Sequence, residues 1–299
     1  MQKYQRVGLH VSAAGGVENA PENAKEFGAE VFQFFSRSPR GGGAPKISDE
    51  QAKLFRDRCE AYDFESYIHT PYYINFASKN KRIYHGSINV VREELERGSL
   101  LGVKYVVTHM GSAREWVQDK SSTETPKEAL EQVVKGLREI FGMRPHSALR
   151  QAQGEQKFTS KLLLEISAGA GAVIGDTFEE LQYLLDGVGR KDVHVCLDTC
   201  HLFASGYDLR TKEAIHETMK AFRKEVGISE LKLVHVNDSK ADLAGRTDRH
   251  EHLGQGKIGS TGFKELLKHP DFQKVNFILE TKHDTLIRKD LEFLKSHRG

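Results

Sequence analysis

The sequence predicts an α/β fold, a (β/α)8 TIM barrel that forms a single domain over residues 1–299. Short apolar, β-branched runs alternate with helix-like segments, and this alternation produces parallel strands joined by right-handed crossovers. There are eight units of this kind, which is the number that closes a barrel. An open doubly wound sheet is the alternative. The count of eight and the shortness of most strands favour the barrel.

The predicted strands are apolar runs that stop at a glycine, a proline or a polar residue. They cover residues 6–12, 30–36, 66–70, 105–110, 161–166, 193–199, 231–237 and 276–281. The sixth run is apolar on both faces, as expected for a strand that is covered on both sides of a parallel sheet. It ends in Asp198, and His201 follows three residues later.

The predicted helices carry apolar residues at intervals of three and four. They cover residues 18–28, 48–63, 79–101, 125–141, 176–185, 211–226, 262–268 and 286–296. Ser48 and Gln51 have the spacing of a capping box, and Gly28 is typical of a helix C-terminus. The polar, basic segment 142–160 fits neither pattern. We interpret this segment as an exposed insertion on the N-terminal face of the barrel, with its His146 outside any site.

The composition indicates a soluble globular protein, because 38% of the residues are hydrophobic and 29% are charged. We expect no signal peptide behind Met1 and no membrane span, because no apolar run approaches ~20 residues. The cysteines Cys59, Cys196 and Cys200 give no disulfide framework, which predicts a cytoplasmic location. The net charge of +2 means that binding to nucleic acid requires a local basic groove.

Ionisable residues lie at the ends of six consecutive predicted strands, on the rim where barrels carry their active sites. These five imidazoles and four carboxylates are His69, His109, Glu165, Asp198, His201, His235, Asp248, His250 and Glu280. Each one alone is more often a hydrogen-bonded packing residue or a helix cap. The few basic residues nearby cannot neutralise all nine, so this set predicts a metal site. Zinc accepts imidazole and carboxylate ligands, and nine ligands suggest two or three ions.

Other polar signals are weaker. We interpret His10 as a packing or supporting residue, His194 as lying away from the rim and Cys196 as a core residue. The remaining histidines that we expect to be solvated are His85, His216, His269, His283 and His297. Residues 254–259 match GxGxxG but do not directly follow a strand, so they do not predict a dinucleotide site. We expect Gly169 and Gly171 to let the backbone approach a metal site or a phosphate.

Six motifs occur in order along the chain: GLHVSAAGG (8–16), CLDTCH (196–201), ASGYD (204–208), HVNDSK (235–240), DRH (248–250) and LGQGKIG (253–259). With these motifs the chain resembles endonuclease IV, the family of zinc-dependent apurinic/apyrimidinic endonucleases, over nearly its whole length outside 142–160. Carried over position by position, the resemblance implies three Zn²⁺ ions in three groups: His69, His109 and Glu165; Glu165, Asp198, His235 and Glu280; and His201, Asp248 and His250.

The resemblance also implies an activity in base excision repair. The enzyme would hydrolyse the phosphodiester 5′ to an abasic site in double-stranded DNA, leaving a 3′-hydroxyl and a 5′-deoxyribose phosphate. We expect a metal-bound hydroxide between the first two ions to attack, because zinc lowers the pKa of bound water to ~7. Glu165 and Glu280 would be catalytic, with Glu280 orienting or deprotonating the water. We expect the chain to act as a monomer.

Two loops match the DNA-reading loops of the family, residues 37–43 and the pair Tyr72-Tyr73. Arg40 and Tyr72 match residues that enter the DNA at the abasic site, where flipping a nucleotide without a base is cheap. The cations that we expect to contact phosphates are Arg40, Lys240, Arg246, Arg249 and Lys257. The chain departs from the family at 41–43, three glycines where an aromatic residue is often found. It also reads Glu-Ile-Ser-Ala-Gly at 165–169, where Glu-Asn-Thr-Ala-Gly is frequent.

Two alternatives belong to other functional classes. A sugar isomerase or epimerase on a related barrel would use Glu165, Asp198, His235 and Glu280 for one or two metal ions. It would not need His69, His109, His201 or the Asp248-Arg249-His250 triplet, so these residues favour the endonuclease. The other alternative is a non-catalytic module that binds DNA damage and uses metal structurally. A gel assay distinguishes cleavage from binding alone.

Overall fold

Eight parallel strands close into a barrel in the computed structural model, which describes residues 5–119, 124–142 and 158–298. The strands are β1 (Val7–Val11), β2 (Val31–Phe34), β3 (Glu65–His69), β4 (Tyr105–Thr108), β5 (Lys161–Glu165), β6 (Val193–Asp198), β7 (Leu231–His235) and β10 (Asn276–Leu279). Neighbours around the barrel follow chain order, and the last strand pairs with the first, with Val7 opposite Phe277. The predicted TIM barrel is confirmed.

The described helices include the eight that the sequence predicts, with ends shifted by a few residues. They are α1 (Ala20–Phe27), α2 (Asp49–Ala61), α3 (Lys81–Leu101), α4 (Lys127–Ile140), α5 (Phe178–Val188), α7 (Lys212–Glu225), α8 (Gly259–Lys268) and α9 (Ile287–His297). The sequence analysis missed a further helix, α6 (Thr199–Ser205), and a ribbon of β8 (Asp238–Ser239) and β9 (His250–Glu251). These elements are too short to show a hydrophobic period.

Local signals at the helix ends act as predicted. The Ser48 hydroxyl accepts a hydrogen bond from the Gln51 amide at 3.2 Å, and the Gln51 side chain accepts one from the Ser48 amide at 3.1 Å. This reciprocal pair is the capping box, which satisfies two backbone donors at the start of α2. Gly28 ends α1 with a φ of 74°, a left-handed conformation that suits glycine.

Apolar and aromatic side chains fill the inside of the barrel. The inward-facing set is Val31, Tyr67, Tyr105, Val107, Leu163, Cys196, Leu233 and Ile278. A second and larger core lies between the strands and the surrounding helices. Cys196 is a core residue as predicted, and all three cysteines are free thiols. The inside of the barrel is therefore a packed apolar core.

Two predictions about isolated histidines have different outcomes. His194 lies near the start of β6 and its Nδ1 pairs with Glu230 Oε2 at 2.7 Å, away from the C-terminal rim as expected. The prediction for His269 is wrong, because this side chain is buried between α8 and the turn before β10. Its Nδ1 accepts a hydrogen bond from the Asp271 amide, so it caps that turn rather than facing solvent.

The predicted insertion at 142–160 falls mainly on residues 143–157, which lie outside the described residues together with His146. Within the described parts of the chain, every helix is too short or too polar to cross a membrane.

Candidate metal centre

The structure brings all nine predicted ligands together at the C-terminal rim. Within each of three groups the ligand atoms lie within 4.8 Å of one another: His69, His109 and Glu165; Glu165, Asp198, His235 and Glu280; and His201, Asp248 and His250. A fourth, overlapping group contains Asp198, Cys200 and His250. The first three groups coincide with the sets that the resemblance implies. The sequence analysis did not assign Cys200 to the site.

Glu165 joins the first two groups. It ends β5 and is fully buried. Its Oε2 lies 2.9 Å from His69 Nε2 and 3.4 Å from His109 Nε2. Its Oε1 lies 2.9 Å from His235 Nδ1. The two oxygens therefore face different clusters of imidazoles, which is the arrangement that a carboxylate bridging two cations requires.

Backbone carbonyls orient two of the imidazoles. His69 Nδ1 donates to the Thr70 carbonyl at 2.7 Å, and His201 Nδ1 donates to the Ile166 carbonyl at 2.9 Å. A carbonyl oxygen only accepts, so each Nδ1 carries a proton and each Nε2 is the ring nitrogen that faces the cluster. The contact at Ile166 uses only the backbone, which explains why isoleucine can stand where the family often has asparagine.

Gln33 is a buried amide on β2 that the sequence analysis did not single out. Its Oε1 accepts a hydrogen bond from His235 Nε2 at 2.8 Å, which leaves His235 Nδ1 free for the cluster. Its Nε2 donates to Glu280 Oε1 at 2.6 Å and lies 3.1 Å from His10 Nδ1. Gln33 thus fixes two of the candidate ligands, and His10 supports Gln33 from β1, in line with its predicted supporting role.

Asn237 is a second buried amide that the sequence analysis left without a role. Its Nδ2 donates to Asp198 Oδ2 at 2.7 Å, and its Oδ1 accepts from the Glu280 amide at 2.8 Å. Asp198 in turn caps α6, because its Oδ1 accepts from the His201 amide at 2.8 Å. Asp198 therefore positions His201 while its other oxygen belongs to a different group. Neutral amides such as Asn237 add no charge, so only their place at a strand end could have indicated them.

The third group has the donor atoms that a cation site requires. His201 Nε2 and His250 Nε2 each lie 3.3 Å from Asp248 Oδ1. Both nitrogens are buried, and neither has a hydrogen-bond partner among the described residues. Buried polar atoms are rarely left unpaired, and two imidazole nitrogens aimed at one carboxylate oxygen form a donor set that suits a divalent cation. The chemistry of the residues therefore fits a metal ion.

Burial and mutual charge interactions shift the pKa values of the cluster. Burial lowers the pKa of His109 to about 4 despite the nearby Glu165 carboxylate, so His109 is neutral at pH 7. Burial acts to raise the pKa of Glu165, but His109 and His235 outweigh it and lower that pKa well below its usual range. Burial acts to lower the pKa of His201, but Asp198 and Asp248 outweigh it and raise that pKa. Metal ligands are neutral imidazoles and ionised carboxylates, so a cation bound at His201 would have to displace the proton that this raised pKa favours.

The glycine motif at 254–259 encloses a carboxylate of the chain itself. The Asp238 carboxylate accepts hydrogen bonds from the amides of Gly254 and Gly256 at 3.0 Å and of Ile258 at 2.9 Å. A Cβ on Gly256 would lie 2.5 Å from Asp238 Oδ1, so this position has no room for a side chain. The loop is an anion-binding concavity that is already filled, consistent with the interpretation that it binds no dinucleotide.

The residues that we expect to contact DNA lie on the rim beside the cluster. Arg40 is exposed, and Tyr72 and Tyr73 are 67% and 40% exposed. A cavity of about 440 Å³ lies between the two tyrosines and the cluster, and its wall includes His109. Arg37, at the start of the first loop, is instead buried in ion pairs with Glu93 and Glu94. Its role is to anchor that loop to α3.

Three of the other rim cations have carboxylate partners. The pairs are Lys240 with Glu251 at 3.5 Å, Lys257 with Asp242 at 3.4 Å and Arg246 with Asp176 at 3.2 Å. Both lysine side chains are 56% exposed, so their ammonium groups can exchange a carboxylate partner for solvent or for a phosphate. Asp176 is only 4% exposed, which makes its pair with Arg246 a structural contact.

Comparison with known proteins identifies close relatives over nearly the whole chain. The model of a family described as xylose isomerase-like TIM barrels matches residues 21–297. The chain is 38% identical over 274 residues to a probable endonuclease 4 of Aquifex aeolicus, with 92% of this chain and 90% of that protein covered. It is 36% identical over 294 residues to a probable endonuclease 4 of Chlorobium phaeobacteroides, with coverage of 97% and 96%.

Solved structures agree with this result. Endonuclease IV from Thermus thermophilus superposes with a TM-score of 0.81 at 33% identity, covering 97% of this chain and 98% of that one. A D-tagatose 3-epimerase-like protein superposes with a TM-score of 0.70 at 20% identity, covering 98% and 97%. The second likeness shows a shared barrel fold and nothing further.

Proposed function

Because the chain belongs to the endonuclease IV family and is therefore an apurinic/apyrimidinic endonuclease of DNA repair, we propose that it hydrolyses the phosphodiester 5′ to abasic sites. The products are a 3′-hydroxyl and a 5′-deoxyribose phosphate. The observation that carries this proposal is the convergence of nine imidazole and carboxylate ligands into three groups, two of which share Glu165.

We assign one Zn²⁺ ion to each of the three groups, and Glu165 would serve both the first and the second. When bound, zinc supplies Lewis acidity and lowers the pKa of water to ~7, which makes hydroxide available at neutral pH. The unpaired nitrogens of His201 and His250 support the third position, and the two-sided contacts of Glu165 support the shared pair.

The two proposed catalytic carboxylates differ in exposure and therefore in role. Glu165 is fully buried, and both of its oxygens contact imidazoles. It holds negative charge at the centre of the site. The Glu280 side chain is 17% exposed, with Oε1 held by Gln33 and Oε2 lying 3.2 Å from His235. Glu280 can therefore reach a water molecule at the open side of the cluster, orient it and accept its proton.

The rim supports recognition of a nucleotide that lacks its base. The cavity of about 440 Å³ beside His109 is large enough for a flipped sugar and its phosphate. Tyr72 and Tyr73 border this cavity and present exposed rings that can replace the missing base in the stack. Arg40 lies on the neighbouring loop, where its guanidinium can contact a phosphate or enter the duplex.

The sugar epimerase alternative accounts for fewer of the residues. The shared barrel and the group around Glu165, Asp198 and His235 would suffice for it. It would leave the buried, unpaired nitrogens of His201 and His250 unexplained. The third group therefore favours phosphodiester hydrolysis, a reaction in which a further cation held by these residues would supply positive charge.

All nine ligands come from one chain, which supports a monomer as the functional unit. The three free thiols support a cytoplasmic location, where thiols remain reduced.

An end-labelled duplex with one abasic analogue tests the function. We expect a single nick 5′ to the analogue, no cut in the matched unmodified duplex, loss of cleavage in chelator and recovery with added Zn²⁺. Binding without a nick, or cleavage that survives exhaustive chelation, would contradict the proposal. Binding without a nick would favour the damage-binding module instead.

A further inference from the structure

We propose that Asp176 and Arg246 position the loop that carries Asp248, and thereby control occupancy of the third metal position by a divalent cation. This inference rests on the proposed function, since it concerns the ion assigned to His201, Asp248 and His250. It gives Arg246 a positioning role in place of the phosphate contact that the sequence suggested.

The loop 240–249 lies directly on the helix that carries His201. The Ala244 amide donates to the Phe203 carbonyl at 3.0 Å, and the Arg246 amide donates to the Ala204 carbonyl at 3.0 Å. Asp248 follows two residues later. Its side chain is 56% exposed, so solvent covers more than half of it and the orientation of its carboxylate depends on the backbone of this loop.

The Arg246 side chain fastens the loop to the segment after β5. Its Nη1 lies 3.2 Å from Asp176 Oδ2 and donates to the Gly169 carbonyl at 3.2 Å. Asp176 is almost fully buried. Loss of Arg246 is costly, because it leaves the buried Asp176 carboxylate without its charged partner.

Gly169 makes room for this contact. Its φ is 70°, and a Cβ there would lie 3.0 Å from Asp176 Oδ2 and 3.2 Å from Arg246 Nη1. This packing gives a reason for the glycine that follows β5, which we expected to admit a metal site or a phosphate. The backbone approaches the Asp176–Arg246 pair instead.

The loop backbone is strained at two places. Ala244 has a φ of 59° and Arg246 a φ of 48°, values in the left-handed region that residues with a Cβ rarely adopt. Such conformations persist only where surrounding contacts enforce them. Without the ion pair, the loop is free to relax, and Asp248 loses its fixed position 3.3 Å from both His201 and His250.

Zinc content and zinc affinity of the purified protein test this role. We expect three ions in the wild type and about two in Arg246→Ala. The affinity for the most weakly held ion should fall by about 10- to 100-fold, as is usual when a residue that orients a ligand is removed. Asp176→Asn keeps the shape of the side chain and one accepting oxygen but removes the charge, so it should lose affinity for the same ion by a smaller factor. Arg246→Lys retains a positive charge and should recover part of the affinity.

Arg223→Ala is the matched control. Arg223 pairs with Asp271 at 2.5 Å on the opposite face of the barrel, and the two side chains are 44% and 11% exposed, similar to 39% and 5% for Arg246 and Asp176. This variant should keep three ions. Its result distinguishes a general loss of one arginine–aspartate pair from a specific effect on the third metal position.

The outcomes are separable. The positioning role is wrong if Arg246→Ala and Asp176→Asn both bind three ions with the same affinity as the wild type. A phosphate contact would instead weaken DNA binding in Arg246→Ala and reduce its salt dependence by about one ion, with zinc unchanged. If Arg246→Ala does not fold, the nearly isosteric Asp176→Asn decides. A wild type without bound zinc would overturn the proposed function itself, and this inference with it.

Discussion

Replacement of Asp198 separates the structural and the metal-binding roles of one carboxylate. In Asp198→Ala, α6 loses the side chain that caps it, a hydrogen bond of 2.8 Å to the His201 amide. This loss costs about 1 kcal/mol. The Asn237 amide also loses its acceptor at 2.7 Å while it stays buried, which costs a further 1–3 kcal/mol or so. We therefore expect the free energy of unfolding to fall by about 2–4 kcal/mol.

Asp198→Asn is the companion variant. Its side-chain oxygen can still cap α6, so we expect at most half of the loss in stability. Both variants lack the ionised oxygen assigned to the second zinc position. A deficit of about 4 kcal/mol in transition-state stabilisation would slow cleavage by about 10³-fold in each, even with excess Zn²⁺.

Urea unfolding of the chelated protein and single-turnover cleavage of an abasic duplex measure the two effects independently. Equal unfolding free energies for the wild type and Asp198→Ala would refute the capping role. Cleavage by Asp198→Asn within tenfold of the wild-type rate would refute the assignment of this carboxylate to the metal site.

Three further predictions follow from single contacts. Glu280→Gln keeps the size of the side chain but removes the base, so single-turnover cleavage should slow by about 10²–10⁴-fold; a rate near that of the wild type would exclude this role. Asp290→Ala removes the acceptor of His252 Nδ1 at 2.5 Å and of the Thr281 hydroxyl at 3.0 Å, so the unfolding free energy should drop by about 3–5 kcal/mol; a change below about 1 kcal/mol would count against it. Burial and Glu180 raise the pKa of Asp176 from 3.8 to about 6, so the stability linked to its protonation is present below pH 3.8 and is lost as the pH rises through 6. Relative to the wild type, chelated Asp176→Asn should therefore gain up to about 3 kcal/mol of stability as the pH rises from 4 to 7, and a difference that stays constant over this range would contradict this.

The barrel could be predicted from the sequence because its signals are repeated. Each strand is an apolar run and each long helix has a period, so an error at one end does not change the count. The ligands could be predicted for a related reason. Parallel strands bring their C-terminal ends to one rim, so Glu165 and Asp198 must converge even though 33 positions separate them.

The supporting residues could not be predicted in the same way. Gln33 is one amide within an apolar strand, and neither its charge nor its spacing indicates that it orients His235 and Glu280. The glycines at 254–259 resemble a dinucleotide motif, and only the fold shows that they enclose Asp238. His252 drew no attention in the sequence, yet it is buried and bonded to Asp290 on α9. Each of these contacts depends on tertiary placement.

Anomalous diffraction at the zinc edge, from crystals of the zinc-loaded protein, tests the account most directly. We expect three peaks on the C-terminal rim, with two of them on opposite sides of the Glu165 carboxylate and the third between His201, Asp248 and His250. A single peak, or peaks bound to other residues, would contradict the trinuclear site and the mechanism that rests on it.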